Sequence, residues 1–169
     1  MCIMIVMGID PGLGASGWAV VSGDGEARSL LAFGAIRTKP GDEMATRLLV
    51  ICNSVRDLVG THNPDEVAIE DVFLAKDARA AFALGQARGA AMVGTALQGL
   101  PVHSYTALQV KKSVTGNGHA SKDQVSYMVV RLLDLKEPLH PADSSDAAAI
   151  ALCHLARCKD AMQLTQGRA

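Results

Sequence analysis

One aspartate in an exposed grammatical position constrains this chain more than any other feature. The opening MCIMIVMGID is an apolar run that ends on Asp10, and PGLGASGWAVV follows at once. Residues 3 to 10 read as a buried strand. A carboxylate closing such a strand is costly unless something neutralises or uses it. Gly12, Gly14 and Gly17 spell G-x-G-x-x-G. A dinucleotide site needs those glycines to end a strand and open a helix, whose N-terminus holds the pyrophosphate. Here they lead into WAVV, a strand, and no Lys-Ser/Thr pair follows for a phosphate loop. The glycines instead predict a tight hairpin turn beneath something that must approach Asp10.

The remaining pattern predicts a mixed α/β fold. Residues 16–22 and 28–37 continue a meander of hairpins. From Met44 the apolar positions 44, 48, 51, 55 and 58 form a helical stripe, and Asn63-Pro64 breaks the chain before the short strand EVAIE. A second helix over about 77–98 is rich in small residues, with Ala81, Gly85 and Gly89 on one face, so the sheet or a second subunit could approach closely. After Pro101 come a strand VHSY, a helix over 106–114, the loop TGNGHAS, a helix opening at Ser121, and a last helix beginning near Pro141. Five strands with helices packed on the sheet, the first strand central, follow from this order. With 169 residues and 49% hydrophobic content, a single domain over 1–157 is expected, with 158–169 as a fraying tail.

Asp10 has candidate partners. Glu70 ends EVAIE as Asp10 ends its own strand, and in open α/β sheets that edge is where ligands bind. Parallel neighbours would bring the two carboxylates close together, which requires a cation. Asp143 and Asp146 lie three apart in a first helical turn and share a face; taken alone, they read as an N-cap and a first-turn acid favoured by the helix dipole. Asp71, beside Glu70, reads as a surface acid. Converging carboxylates suit Mg²⁺ or Mn²⁺, and two such ions can drive phosphodiester cleavage.

The net charge of −1 hides an asymmetry. Residues 73–125 carry Lys76, Arg79, Arg88, Lys111, Lys112 and Lys122 against Asp77 and Asp123, a net of +4, and the remainder is −5. A basic surface beside an acidic pocket fits a polyanionic substrate held near a cation. Cys2, Cys52, Cys153 and Cys158 make no C-x-x-C pair, and they and His154 are expected to be buried rather than ligating. No stretch reaches the ~20 apolar residues of a membrane span, so a cytoplasmic protein is expected.

Four segments, GIDPGLGASGWAVV, AIEDVFLAKDARAAFALGQARGAAM, YTALQVKKSVTGNGHASKDQV and HPADSSDAAAIALCHL, occur in an order and spacing that closely resemble the bacterial RuvC family of Holliday junction resolvases. The resemblance covers about residues 4–157 and implies a ribonuclease H-like fold. It places the metal-binding, catalytic acids on Asp10, Glu70, Asp143 and Asp146, with two ions expected per active site. It also implies basic residues near the scissile phosphate at Lys111 and Lys122, the latter catalytic, and an aromatic contact to junction bases at Phe73. Lys76, Arg79 and Lys112 are further candidates for DNA contact, and His119 reads as a loop histidine. Implied partners are four-way junction DNA, a second copy of the chain through the helix near 77–98, and a branch-migration motor. The implied products are paired nicks with 5′-phosphate and 3′-hydroxyl ends.

Competing readings are a related nuclease acting on structured RNA, a non-catalytic junction binder, and an actin-like or sugar-kinase ATPase, which needs two such domains. A single-strand binder built on stacking is disfavoured by only six aromatic residues.

Overall fold

The computed structural model describes residues 3–24, 27–71 and 77–166, with side chains described to Cys158. Three strands, β1 (Met4–Asp10), β2 (Ala15–Gly23) and β3 (Arg28–Arg37), precede α1 (Met44–His62). Then follow β4 (Glu66–Glu70), α2 (Ala78–Ala96), β5 (Val102–Tyr105), α3 (Ala107–Thr115), α4 (Lys122–Leu132) and α5 (Ala142–Gln166). The five strands form one mixed sheet in the order β3-β2-β1-β4-β5. β1 is central, antiparallel to β2 and parallel to β4, and β4 is parallel to β5.

Local sequence explains where the helices start and stop. Thr106 with Gln109 and Ser121 with Gln124 form reciprocal capping boxes that open α3 and α4. Asp77 accepts from the Arg79 backbone N–H at the start of α2. α1 ends at Asn63 and α3 at Gly116, both left-handed, with the cap N–H returning to Val59 and Lys112. α5 continues in the backbone to Gln166, past the expected stop at 157. Its last turns, CKDAMQLTQ, contain mostly good helix formers and meet no glycine until Gly167. Residues 167–169 lie outside the described residues.

The sheet is covered on both faces. Val6, Ala19, Val21 and Ala68 pack with α3, α4 and α5, whereas Met7, Ile9, Val20, Val67 and Ile69 pack with α1 and α2. Period-two alternation therefore directs Gly8 and Asp10 of β1, and Glu66, Ala68 and Glu70 of β4, toward α5. α5 can settle on β1 only because Gly8 has no side chain: a Cβ there would strike the carbonyl oxygen of Ala147.

α2 is packed differently from its sequence pattern. The face holding Ala87, Ala91 and Gly94 packs against α1, where a Cβ on Gly94 would meet the Cys52 carbonyl oxygen. Gly85 and Gly89, expected to admit the sheet or a second subunit, face open space in the single chain, so the sheet is not what approaches them. α2 is small on several sides, so periodicity alone did not choose the face that α1 takes.

Candidate active site

Asp10 and Glu70 end two parallel strands whose last paired residues are Ile9 and Ile69. Both carboxylates therefore emerge at one sheet edge, on the face covered by α5. Asp146 comes down from the first turns of that helix. The three line a cleft of about 260 Å³ together with Lys111 of α3 and Lys122 of α4, and Val110 and Val125 form part of its apolar wall.

The glycine turn has a specific task here. Gly17 stands opposite Asp10 in the β1–β2 hairpin, and a Cβ on it would collide with the Asp143 carbonyl oxygen. Its bare backbone lets the start of α5 descend beside Asp10. Ser144, fully buried, donates to the Gly34 carbonyl at 2.9 Å and fastens the same helical turn to β3. The turn itself is held from within and without. Ser16 Oγ donates to the Gly12 carbonyl at 2.8 Å and accepts from its N–H at 3.1 Å. Arg47, reaching from α1, donates to the Leu13 carbonyl at 3.1 Å and to Thr38 Oγ1 at 2.9 Å.

Glu70 is positioned from behind. Arg88 of α2 donates to the Glu70 carbonyl at 3.1 Å and to Ser104 Oγ at 2.6 Å, and it pairs with Asp71 at 3.5 Å. Arg47, Thr38 and Arg88 were missed as supports of the site. No signal in the sequence could have found them, since each acts on a backbone carbonyl brought near only by folding.

The electrostatics show an acidic cluster short of positive charge. Burial, then the charges of Glu70 and Asp146, push Asp10 up to about 7, with Asp143 adding to the effect and Lys122 opposing it. Burial and Asp146 also raise Glu70, against Lys122 and Lys111. Lys122 Nζ donates to Asp146 Oδ2 at 3.0 Å, and this bond holds the ammonium above its ordinary value. Two lysines at the rim do not cancel the cluster, so a multivalent cation with oxygen ligands fits the donor set.

Asp10, Glu70, Asp146, Lys111 and Lys122 thus come together. Asp143 bears on Asp10 through its charge but is not part of the cleft lining. Lys112 is exposed on α3, and Arg79 on the first turn of α2; neither lines the cleft. His119 is exposed in its loop. Phe73 and Lys76 lie outside the described residues.

Comparison with known proteins gives a consistent picture. The family model described as crossover junction endodeoxyribonuclease RuvC matches residues 6–154. A protein of that description from Methylobacillus flagellatus is 46% identical over 154 residues, covering 88% of this chain and 85% of that protein. One from Chromobacterium violaceum is 47% identical over 149 residues, covering 88% and 84%. The structure of RuvC from Thermus thermophilus in complex with Holliday junction substrate superposes with a TM-score of 0.89 at 35% identity, over 94% of this chain and 96% of that one. The yeast mitochondrial Holliday junction resolvase Ydc2, at 13% identity and a TM-score of 0.65, shares the fold.

Proposed function

Because this chain belongs to the RuvC family of crossover junction endodeoxyribonucleases, we infer that it resolves four-way DNA junctions by metal-dependent hydrolysis of phosphodiesters on opposed strands. The observation that carries the reading is the cleft in which Asp10, Glu70 and Asp146 meet Lys111 and Lys122. The RNA-directed and non-catalytic readings are not favoured.

Asp10, Glu70, Asp143 and Asp146 would hold the divalent ions, with Mg²⁺ the expected species, Mn²⁺ an alternative, and two ions per site. When bound, such ions supply an activated water and stabilise the leaving oxygen. The protein's own groups do the positioning. Lys111 and Lys122 stand at the cleft rim, where they can grip the scissile phosphate and offset charge that builds on it. The bond from Lys122 to Asp146 couples phosphate grip to the acidic cluster: a phosphate arriving at Lys122 competes with Asp146 for the ammonium. Hydrolysis adds the water oxygen to phosphorus and breaks the bond to the 3′ oxygen, which takes up a proton. The products are a 5′-phosphate and a 3′-hydroxyl that can be religated.

Paired cuts need two such clefts, and α2 is the surface proposed to join two copies. Phe82, Val93 and Leu97 are exposed along it, at 75%, 54% and 62%, with the open Gly85 and Gly89 between them. An apolar stripe of that kind on a helix calls for a partner. Phe73, Lys76, Arg79 and Lys112 remain proposed DNA contacts. A branch-migration motor as partner and a cytoplasmic location complete the proposal, and none of the described helices is long and apolar enough to cross a membrane.

The test is a mobile four-way junction and a matched linear duplex, each incubated with Mg²⁺ and with chelator, and read on a denaturing gel. Symmetric paired nicks in the junction alone, only with metal, are expected. Equal cutting of both DNAs, or cutting in chelator, would overturn the reading.

A further inference from the structure

A second cluster of ionisable groups lies away from the cleft, at the start of β4, and the nuclease chemistry leaves it unused. Glu66 opens β4 and faces α5 as Glu70 does, from the other end of the strand. His103 of β5 is paired with Ala68 and so faces the same way. His154 and Cys158, four apart on α5, share the helical face that meets them. Two sheet residues and two helix residues thus converge from elements distant in sequence.

The contacts are close. Glu66 Oε2 lies 2.6 Å from His103 Nε2 and 2.8 Å from His154 Nε2, and Cys158 Sγ lies 3.5 Å from His154 Nε2. One ligand atom each from Glu66, His154 and Cys158 fall within 4.8 Å of one another. His154 is 1% exposed. His103 Nε2 is buried and, despite its nearness to Glu66, has no aligned hydrogen-bond partner among the described residues.

We propose that Glu66, His103, His154 and Cys158 form a second metal site, suited to Zn²⁺ or a similar borderline transition ion and separate from the carboxylate cleft. The donor set is the first reason. Two imidazoles, a carboxylate and a thiolate are ligands that Zn²⁺ takes and that Mg²⁺ does not favour. Carboxylate and thiolate together also cancel a 2+ charge, and metal binding releases the thiol proton. Spacing is the second reason. Tetrahedral ligands at zinc distances stand roughly 3.3–3.8 Å apart, a spacing that the Cys158–His154 pair already has. The two contacts to Glu66 must open by about half an ångström to an ångström to match it, and His103, outside the three whose ligand atoms lie within 4.8 Å, must draw in toward Cys158.

The outer partner is the third reason. Tyr105 Oη lies 2.7 Å from His154 Nδ1, inside the core. With Nδ1–H donating to Tyr105 Oη, the Nε2 lone pair faces the cluster, the arrangement that metal-bound histidines use to fix ring and tautomer. An ion there would fasten α5 to β4 and β5, beyond the part of α5 that carries the catalytic acids. The expectation that Cys158 and His154 are inert buried groups is the reading that this proposal replaces.

The test uses untagged, full-length protein stripped with chelator, in wild-type form and as an Asp10→Asn, Asp146→Asn variant whose cleft no longer competes for metal. Calorimetric titration with Zn²⁺ should give one ion per chain in the cleft variant. Co²⁺ in its place should give a thiolate charge-transfer band. In that background, Cys158→Ser should remove the band, and His103→Ala should weaken Zn²⁺ binding at least tenfold. Both positions are partly exposed, and circular dichroism checks that each variant folds. The proposal is overturned by the absence of stoichiometric Zn²⁺ binding in the cleft variant, or by affinity unchanged in both Cys158→Ser and His103→Ala. Junction cleavage is not part of the readout, so the result stands apart from the nuclease reading.

Discussion

At Asp10 a single carboxyl links stability to the proposed metal site. Its ordinary value is 3.8, and in the fold it is pushed up to about 7 by burial first and by its acidic neighbours second. Below pH ~4 the group is protonated both folded and unfolded. As pH rises toward 7 the unfolded chain releases its proton while the folded one keeps it, so folding stability without metal falls over that window. Asp10→Asn should therefore stabilise the metal-free protein at pH 8, by on the order of 2 kcal/mol, seen as a higher Tm in chelator. The same variant should lose cleavage by about a thousandfold or more while junction affinity stays within a few fold. A variant that cuts at the wild-type rate would remove Asp10 from the mechanism. With metal held limiting, wild-type cleavage should rise with pH up to about 7, because protons compete with the ion for Asp10. Lys111 belongs to the same scale. If it grips a phosphate, Lys111→Ala should weaken binding to any junction sequence and lower the slope of log K against log salt by about one.

The placement of α5 is decided where the helix meets two glycines. Gly8 and Gly17 remove the atoms that would hold it off the sheet, and Gly17 does so against Asp143 itself. Gly17→Ala should cost roughly 1–3 kcal/mol from overpacking and reduce cleavage at least tenfold by shifting the acids of α5. Gly14→Ala is the control, because a Cβ at Gly14 meets nothing within 4 Å. Chemical denaturation and single-turnover cleavage measured on the two variants separate them; equal behaviour would mean that the glycine turn is only a turn. This element was partly legible in advance. The glycines correctly announced an approach toward Asp10, but the approaching group proved to be the backbone of α5, more than a hundred residues later in the chain. The small-residue stripe on α2 was legible as a surface for close approach, yet the face that α1 occupies is the one with Gly94.

For the molecule as a whole, two clefts must act on one junction if its nicks are to be paired. The proposed seam is the exposed stripe of α2, on the side opposite the residues packed against α1. A charge at Gly85 or Gly89, as in Gly85→Glu or Gly89→Glu, has room in the single chain and so should leave the fold intact while dissociating a pair joined there. Sedimentation should then report a monomer, and junction cleavage should fall while paired nicks give way to single ones. A variant that remains dimeric with full paired cutting would move the interface elsewhere.

The sequence alone determined the class of fold and the order of elements, and it singled out the four acids proposed to hold metal. Strand alternation, caps and turn residues act over a few positions and are written in consecutive letters, as in GIDPGLG or the pairing of Ser121 with Gln124. The tertiary structure decided which groups share a space. It brought Arg47 to the Leu13 carbonyl and Arg88 to that of Glu70, joined Lys122 to Asp146, and gathered Glu66, His103, His154 and Cys158 from a sheet and a helix. The reason is physical: these contacts depend on strand register and on how closely a helix can lie on a sheet, and neither is a local property of the chain.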